Sequence, residues 1–496
     1  MENLEEVIVR TQFSADFQFS TVKKLTVLSN NSISITRAQY LEEIVLPTDV
    51  DNIYTFQDKI LYNKNKTAII CYLNTKTDKE FTVPSGVSII SNNAFAYNNK
   101  IEKITINGHV QLGSQAFAYM KKLKEVVLNI SPDKGNKEVT LSRVLASQLF
   151  LSCDNLKTVT FQTDFYTTIG SDAFQYCESL KTISLPKSVK VIGESVFDHC
   201  LELKEIDLSN VISIGSYAFS SCINLKNVEL STNLRSINSE TFYNCTSLKS
   251  ITIPDNVLSV GSSVFEECSN LKEITFSRNV VDLPSKLFAK TNLKEFTIYQ
   301  NVRSIKVDTF LDIPDLDLKL ENDNHPIFSI VDKFLMNKIK GEIICYFSKL
   351  QDVLVLPNET RIITDNFYSH ELKENQFYKE EYGILVVKVP ESVDTNKYSF
   401  GSSIYHQVCI QGFYYQDYNI RNSRESVSDN YIFDKYKGYY SNYRICNETV
   451  PEYAKYRLIN KTTPIEISMS VIIAVCAAVI IALLVVYFIL RKKSAN

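Results

Sequence analysis

The chain has 496 residues, of which 45% are hydrophobic and 22% are charged, and its formal net charge is −3. This composition is typical of a folded protein and excludes wholesale disorder. The charge, with no long basic run before the last residues, gives no reason to expect a nucleic-acid partner. Eleven cysteines are present, but most occupy one repeated position, so their number does not fix the redox compartment.

The amino-terminal part contains weak copies of a repeat and then a different unit. Residues 1–50 include VKKLTVL and YLEEIVLP, which indicate an amino-terminal cap with degenerate repeats. No basic stretch followed by an apolar stretch is visible there, so we expect no ordinary signal peptide. The stretch DKILYNKNKTAIICYL from Asp58 returns from Asp332 as DKFLMNKIKGEIICYF. Its two apolar runs around a short polar link predict β-hairpin modules at 51–94 and 325–368.

A regular repeat fills residues 95–315. Between Phe174 and Phe276 one pattern is spelled five times, as AFQYCESLKTISLP, VFDHCLELKEIDL, AFSSCINLKNVEL, TFYNCTSLKSITIP and VFEECSNLKEITF. The cysteines of these copies are 23, 22, 23 and 23 residues apart. Such spacing predicts a solenoid, in which stacked coils share one continuous core.

Each repeat divides into a strand and a return segment. The alternating LKxIxL predicts one short parallel strand per coil of about 23 residues, giving a β-rich leucine-rich-repeat solenoid. The VxxIGxxAFxxC segment turns the chain back, and its glycines are expected to ease the bend. The Phe and Cys columns are expected to be core packing, with thiols rather than disulfide bridges.

The phrase AFxxCxxLKxIxLPxxVxxIGxxAF resembles the BspA-like, or treponemal-type, leucine-rich repeat. The resemblance covers roughly residues 80–315, and the hairpin modules extend it to about 20–370. It implies a curved solenoid with a parallel strand ladder on its inner face. It also implies a surface protein of the kind that mucosal bacteria and protozoan parasites use to bind host matrix or cells.

Two columns of outward side chains are the candidate binding residues. In LKxIxL the two x positions point away from the core, and parallel stacking aligns them from coil to coil. The columns are Thr158, Thr182, Glu205, Asn227, Ser250, Glu273 and Glu295, and Thr160, Ser184, Asp207, Glu229, Thr252, Thr275 and Thr297. The Lys before each x position forms a third column, whose repulsion we expect neighbouring acidic residues to offset. The alternative is a solvated sheet face that only keeps the solenoid soluble.

No catalytic constellation is visible, so we expect no enzyme activity, no metal site and no cofactor. The five histidines have no metal-ligand spacing, and neither a nucleophile elbow nor a phosphate loop occurs. His199 lies beside Cys200, but neighbouring repeats carry Tyr, Ser or Asn at that place. The pair is therefore interpreted as a variable surface position and a core thiol.

The carboxy-terminal part is interpreted as a cap and a Tyr-rich membrane-proximal stalk at 369–463, in which Cys409 and Cys446 are disulfide candidates. Residues 467–490 carry no charge and are followed by Arg491, Lys492 and Lys493. Such a span is long enough to cross a bilayer as a helix, leaving a tail at 491–496. Its Ala474, Ala478 and Ala482 stripe could support a weak helix-mediated dimer.

Two functional hypotheses follow. The first is a single-pass plasma-membrane protein whose solenoid lies outside and binds a protein or matrix ligand, including a host cell surface, with its basic tail in the cytoplasm. The second is a tail-anchored intracellular scaffold for protein–protein interaction. The missing signal peptide favours the second, and the family resemblance favours the first.

Overall fold

The computed structural model describes residues 5–10, 13–16, 22–28, 33–36, 40–46, 53–131, 141–313, 315–347, 353–363, 386–390, 407–410 and 413–416. These residues form a β-solenoid of mostly parallel strands and contain no helix. The chain forms two compact units, one of residues 1–330 with 344–347 and 367–369, and one of residues 331–343, 348–366 and 370–496.

The first unit begins with a regular parallel ladder. Its strands are β1 (Glu6–Val9), β2 (Phe13–Asp16), β3 (Lys24–Val27), β4 (Ile33–Thr36) and β5 (Glu43–Val45). Glu6 is aligned with Lys24, and Lys24 with Glu43, so these coils are shorter than those of the main array. Leu25, Val27 and Ile44 are buried beneath the ladder. The weak repeats of this region therefore form solenoid coils.

A hairpin follows, made of β6 (Tyr54–Gln57), β7 (Ile60–Asn63) and β8 (Ala68–Tyr72), with both strand pairs antiparallel. Asp58 and Lys59 have positive φ, as a two-residue turn between antiparallel strands requires. The Asn63 side-chain oxygen accepts the Ala68 N–H at 2.9 Å. Strand β8 then pairs in parallel with the short strand Ile89–Ile90, so the hairpin leads directly into the array.

The array contains two parallel strands in most coils, where the sequence predicted one. In chain order they are β9 (Glu80–Thr82), β10 (Ile89–Ile90), β11 (Lys103–Gly108), β12 (Gln111–Leu112), β13 (Glu125–Ile130), β14 (Val144–Leu145), β15 (Thr158–Phe161), β16 (Thr168–Ile169), β17 (Val191–Ile192), β18 (Glu205–Leu208), β19 (Ser213–Ile214), β20 (Asn227–Leu230), β21 (Ser236–Ile237), β22 (Ser250–Thr252), β23 (Ser259–Val260), β24 (Glu273–Thr275), β25 (Asp282–Leu283), β26 (Glu295–Ile298), β27 (Ser304–Ile305) and β28 (Asp317–Leu320).

The longer strands come from LKxIxL, and the two-residue strands come from VxxI. The second set was missed because two residues show no alternation, although the last residue of each pair is buried. One expected strand is absent, since residues 181–186 form none, although Ile183 is buried.

The Phe and Cys columns build the core. The ten phenylalanines from Phe95 to Phe310 that follow one per coil are less than 2% exposed, and consecutive rings lie 5.2 to 5.9 Å apart. The thiols of Cys153, Cys177, Cys200, Cys222, Cys245 and Cys268 each donate to the carbonyl of the Phe in the preceding coil at 3.1 to 3.3 Å. The eight cysteines whose side chains are described are free and buried, as packing predicted.

The repeat glycines have a different purpose from the one expected. The left-handed positions of the turns from Phe95 to Phe288 are taken by other residues, two before and two after the Phe, such as Tyr217 (φ 58°) and Ser221 (φ 56°) around Phe219. Gly261 lacks a positive φ, but a Cβ there would lie 2.3 Å from the Ser239 backbone nitrogen. Glycine is needed because adjacent coils approach closely.

This close approach gives a stability prediction. Gly261→Ala should lower the free energy of unfolding by about 1–3 kcal/mol, because the added methyl group must push two backbones apart. Gly86→Ala is the matched control, since a Cβ at Gly86 meets nothing within 4 Å. Urea unfolding followed by circular dichroism measures both, and equal stabilities would contradict the explanation.

The remaining strands are β29 (Phe328–Val331), β30 (Phe334–Asn337), β31 (Glu342–Tyr346), β32 (Val353–Val355), β33 (Ile362–Ile363), β34 (Val386–Val389), β35 (Gln407–Ile410) and β36 (Phe413–Gln416). In the second unit, β31 pairs in parallel with β33, as β8 does with β10. Strands β32, β34 and β35 are parallel, and β36 is antiparallel to β35. Parallel pairing thus continues beyond Asn366, where the visible periodicity fades.

Several expectations fall outside the described residues. They are the membrane span at 467–490 with its alanine stripe, the tail at 491–496, and the pairing of Cys409 with Cys446, of which only the Cys409 backbone, in β35, is described. Where the chain is described, it contains no helix of the length and hydrophobicity that crossing a bilayer requires.

Candidate functional site

The LKxIxL face of the central coils forms an open groove of about 1440 Å³. It is lined by residues from Thr182 to Glu295. All the predicted outward residues line it except Thr158, Thr160 and Thr297. The structure therefore brings most of the candidate binding residues into one concave surface.

Strand register explains this placement. Glu205 is aligned with Asn227 and Asp207 with Glu229, while the intervening Ile206 is buried. The same alternation exposes the x positions of β15, β22 and β24. At the carboxy-terminal end of the array Thr297 is less exposed than the other outward residues, since its side chain is half-buried. Thr158 and Thr160 are exposed but lie beyond the groove.

Charges on this face are neutralised at the two ends of the array. Near the amino-terminal end, the Lys103 Nζ lies 2.8 Å from Glu125 and the Lys124 Nζ lies 2.6 Å from Glu102. At the other end, the Lys319 Nζ lies 2.7 Å from Glu295. Here acidic and basic side chains from neighbouring coils form ordinary surface ion pairs.

In the central coils the carboxylates lack such partners. Among the described residues, no cationic group lies within 4.0 Å of Glu205, Asp207, Glu229 or Glu273. Asp207 and Glu229 are neighbours across β18 and β20, an unfavourable pairing of like charges. The Ser209 hydroxyl and backbone N–H hold the pKa of Asp207 below its ordinary value.

A column of lysines borders the groove; it comprises Lys157, Lys181, Lys204, Lys226, Lys249, Lys272 and Lys294, all exposed. Backbone hydrogen bonds join several of them from coil to coil, as from the Lys226 N–H to the Lys204 carbonyl at 2.9 Å. None of the seven makes an ion pair within the described part of the chain. The seven ammonium groups thus have no direct carboxylate contact among the described residues, and the expectation that acidic neighbours offset part of their repulsion stays a prediction.

The lack of ion pairs in the central coils was not predicted from the sequence, although the sequence contains a pattern that indicates it. The outward columns include lysines only in the outer coils, at Lys103 and Lys319, which are the coils that form ion pairs. Comparing the x positions coil by coil would have separated the paired ends from the unpaired centre.

The other candidate groups do not assemble into a reactive site. The His199 Nδ1 lies 2.8 Å from the Asp198 Oδ1, and the His199 ring packs against Tyr176 with centroids 4.7 Å apart and planes tilted by 32°. Cys200 points into the core instead, and burial raises the pKa of its thiol well above the ordinary value. Among the described residues no group of three or more His, Cys, Asp or Glu side chains could hold a metal ion.

The stacked coils, the buried leucine positions and the strand-lined groove define a leucine-rich-repeat protein. The family model for the BspA type leucine-rich repeat region matches six copies, at residues 66–136, 143–240 and 192–317. The chain is therefore a BspA-like leucine-rich-repeat protein. Proteins of this repeat family are typically non-enzymatic and take part in binding or recognition.

Solved structures include similar chains. A leucine-rich cell surface protein from Faecalibacterium prausnitzii is 19% identical, with 74% of this chain and 96% of that chain covered and a TM-score of 0.43. A leucine-rich repeat protein from Bacteroides ovatus is 18% identical, with 73% and 100% covered and a TM-score of 0.42. A leucine-rich repeat protein from Eubacterium ventriosum is 26% identical, with 50% and 59% covered and a TM-score of 0.36. No curated protein matches the chain.

Proposed function

We propose that this protein is a cell-surface recognition and adhesion protein that holds a macromolecular partner in the groove on its LKxIxL face. The observation that carries the proposal is the concentration of exposed, unneutralised polar side chains in that one concave surface. Like charges such as Asp207 and Glu229 on adjacent strands cost stability when no partner is bound. A binding role gives a reason for retaining them.

The site offers hydrogen bonds and charge beside half-buried apolar side chains. Its outward columns consist of Thr, Ser, Asn, Asp and Glu, and the half-buried Leu185, Val228, Leu230 and Ile274 also line the groove. A partner would therefore be held by many modest contacts spread over several coils, as solenoid surfaces allow. The anchor at 467–490 would display this surface outside the cell.

The proposal is tested by filling the groove without changing charge. Asn227→Tyr with Ser250→Tyr places two bulky side chains in the groove, and retention of the purified chain on a decellularised epithelial matrix should fall at least about tenfold. Ser213→Tyr with Ser259→Tyr is the matched control, because these serines are exposed on the two-residue strands. Equal retention of the two variants would contradict a role for the groove.

The alternative is a tail-anchored intracellular scaffold that uses the same groove. The eight free, buried cysteines are compatible with a reducing compartment. Glycans on Asn358 or Asn447, both in N-x-T sequences, would exclude this alternative because cytosolic domains do not receive them.

A further inference from the structure

The lysine column is the least explained feature of the array. Seven exposed cations follow one another from coil to coil, at the strand spacing of ~4.8 Å, over roughly 29 Å. Like charges in such a row repel one another, and no carboxylate lies within ion-pair distance of any of the seven in the described part of the chain. Lys124, which precedes them in the same column, does have a partner in Glu102. The ion pairs thus stop at Lys124, and the unpaired lysines begin one coil before the groove.

The lysine column runs beside the outward columns and reaches the groove itself at two of its members. Each lysine directly precedes an outward residue, as Lys204 precedes Glu205, and Lys272 and Lys294 themselves line the groove. A ligand lying along the coils would meet ammonium groups along one edge. Beside them it would meet Thr, Ser and Asn groups together with carboxylates that accept hydrogen bonds.

We infer that this surface binds a linear acidic polysaccharide, with its sulfate or carboxylate groups on the lysine column and its sugar hydroxyls against the two outward columns. The inference rests on the proposed function and names the class of matrix partner. A polysaccharide fits because it carries anionic groups and hydroxyls together, at a repeat that continues along its length. The carboxylates of Glu205, Glu229 and Glu273 then accept hydrogen bonds from hydroxyls.

Nucleic acid fits the same surface less well. Duplex DNA carries a charge every ~1.7 Å along its axis, so lysines ~4.8 Å apart would leave most phosphates unneutralised. Single strands are usually held by bases stacked on aromatic side chains. The two outward columns contain no aromatic residue between Thr158 and Thr297.

The test is binding of size-defined heparin and chondroitin sulfate fragments to the purified full-length chain over a series of salt concentrations. We expect affinity to fall with salt, since ammonium–sulfate contacts are screened. Lys204→Gln, Lys226→Gln, Lys249→Gln and Lys272→Gln together should weaken heparin binding about 80-fold, at about threefold per lysine. The same variant should also show a shallower salt dependence.

A matched control removes the same charge elsewhere. Lys100→Gln, Lys122→Gln, Lys187→Gln and Lys306→Gln change exposed lysines outside the column, and this variant should bind within about threefold of the unchanged chain. Circular dichroism checks that both variants fold. Uncharged dextran and oligothymidine are measured in the same assay, and both should bind more weakly than heparin.

The inference is overturned if neither polysaccharide binds at low salt, if the two lysine variants lose affinity equally, or if oligothymidine binds more tightly than heparin. These outcomes are distinct from failure of the proposed function. A chain that adheres to matrix through the groove but does not bind heparin would leave the proposed function standing. A chain that binds heparin but is found inside cells would support the inference and contradict the proposed function.

Discussion

Phe219→Ala is expected to lower the free energy of unfolding by about 3–5 kcal/mol, the largest effect of any single substitution considered. The Phe219 ring is fully buried and stacks between Phe197 and Phe242 at centroid distances of 5.4 and 5.5 Å. Removing it opens a cavity in the middle of a continuous column. The coils on either side lose contacts at the same time, so the effect spreads beyond one repeat.

Urea unfolding followed by circular dichroism measures this effect. Leu258→Ala is the matched control, because Leu258 is an exposed apolar residue, 51% accessible, whose truncation leaves no cavity. It should change stability by less than about 0.5 kcal/mol. Similar losses for the two variants would show that the Phe column is not the main source of stability.

The second large effect is a loss of stability above pH 9. Burial raises the pKa of the Cys153 and Cys268 thiols from an ordinary 9.0 to about 12, and it also raises the pKa of Cys177, Cys200, Cys222 and Cys245. Below pH 9 these thiols are neutral in both states, so their contribution is complete. As the pH rises from 9 towards 12, only the unfolded chain releases the protons, and the contribution is lost.

At pH 10 this amounts to about 1.4 kcal/mol for each thiol, or about 8 kcal/mol for the six. The measurement compares urea unfolding at pH 8 and pH 10 with reductant present. Cys177→Ala, Cys200→Ala and Cys222→Ala together should reduce the difference between the two pH values by roughly a third, because burial also raises the pKa of Cys71 and Cys345 and the three substitutions remove three of eight such thiols. An unchanged difference would assign the alkaline loss to other groups. The comparison within each protein cancels the packing cost of the substitutions.

The main array was predictable because its determinants are local and repeated. Phe, Cys and the Leu and Ile of LKxIxL each recur at fixed spacing, so a side chain that is core in one coil is core in all of them. The two-residue strands, such as Ser213–Ile214, were not predictable, because they are too short for alternation to show. The glycines were misinterpreted because a close approach between coils, as at Gly261, leaves no trace in one coil's sequence.

The candidate site was predictable as a list of positions but not as a charge distribution. Alternation in LKxIxL is sufficient to place Glu205 and Asp207 on the outward face. Whether an ammonium group reaches a carboxylate depends on side-chain geometry between coils. That geometry pairs Lys103 with Glu125 and leaves Lys204 without an ion pair in the described structure.

The central claim is that the groove is displayed on the outside of the cell. Surface labelling of unpermeabilised cells with an antibody to the repeat array tests it directly, with permeabilised cells as the measure of total protein. The account predicts that intact cells are labelled, and that brief trypsin treatment of intact cells removes the signal. Labelling only after permeabilisation, with the repeats untouched by trypsin on intact cells, would contradict it and favour the intracellular scaffold.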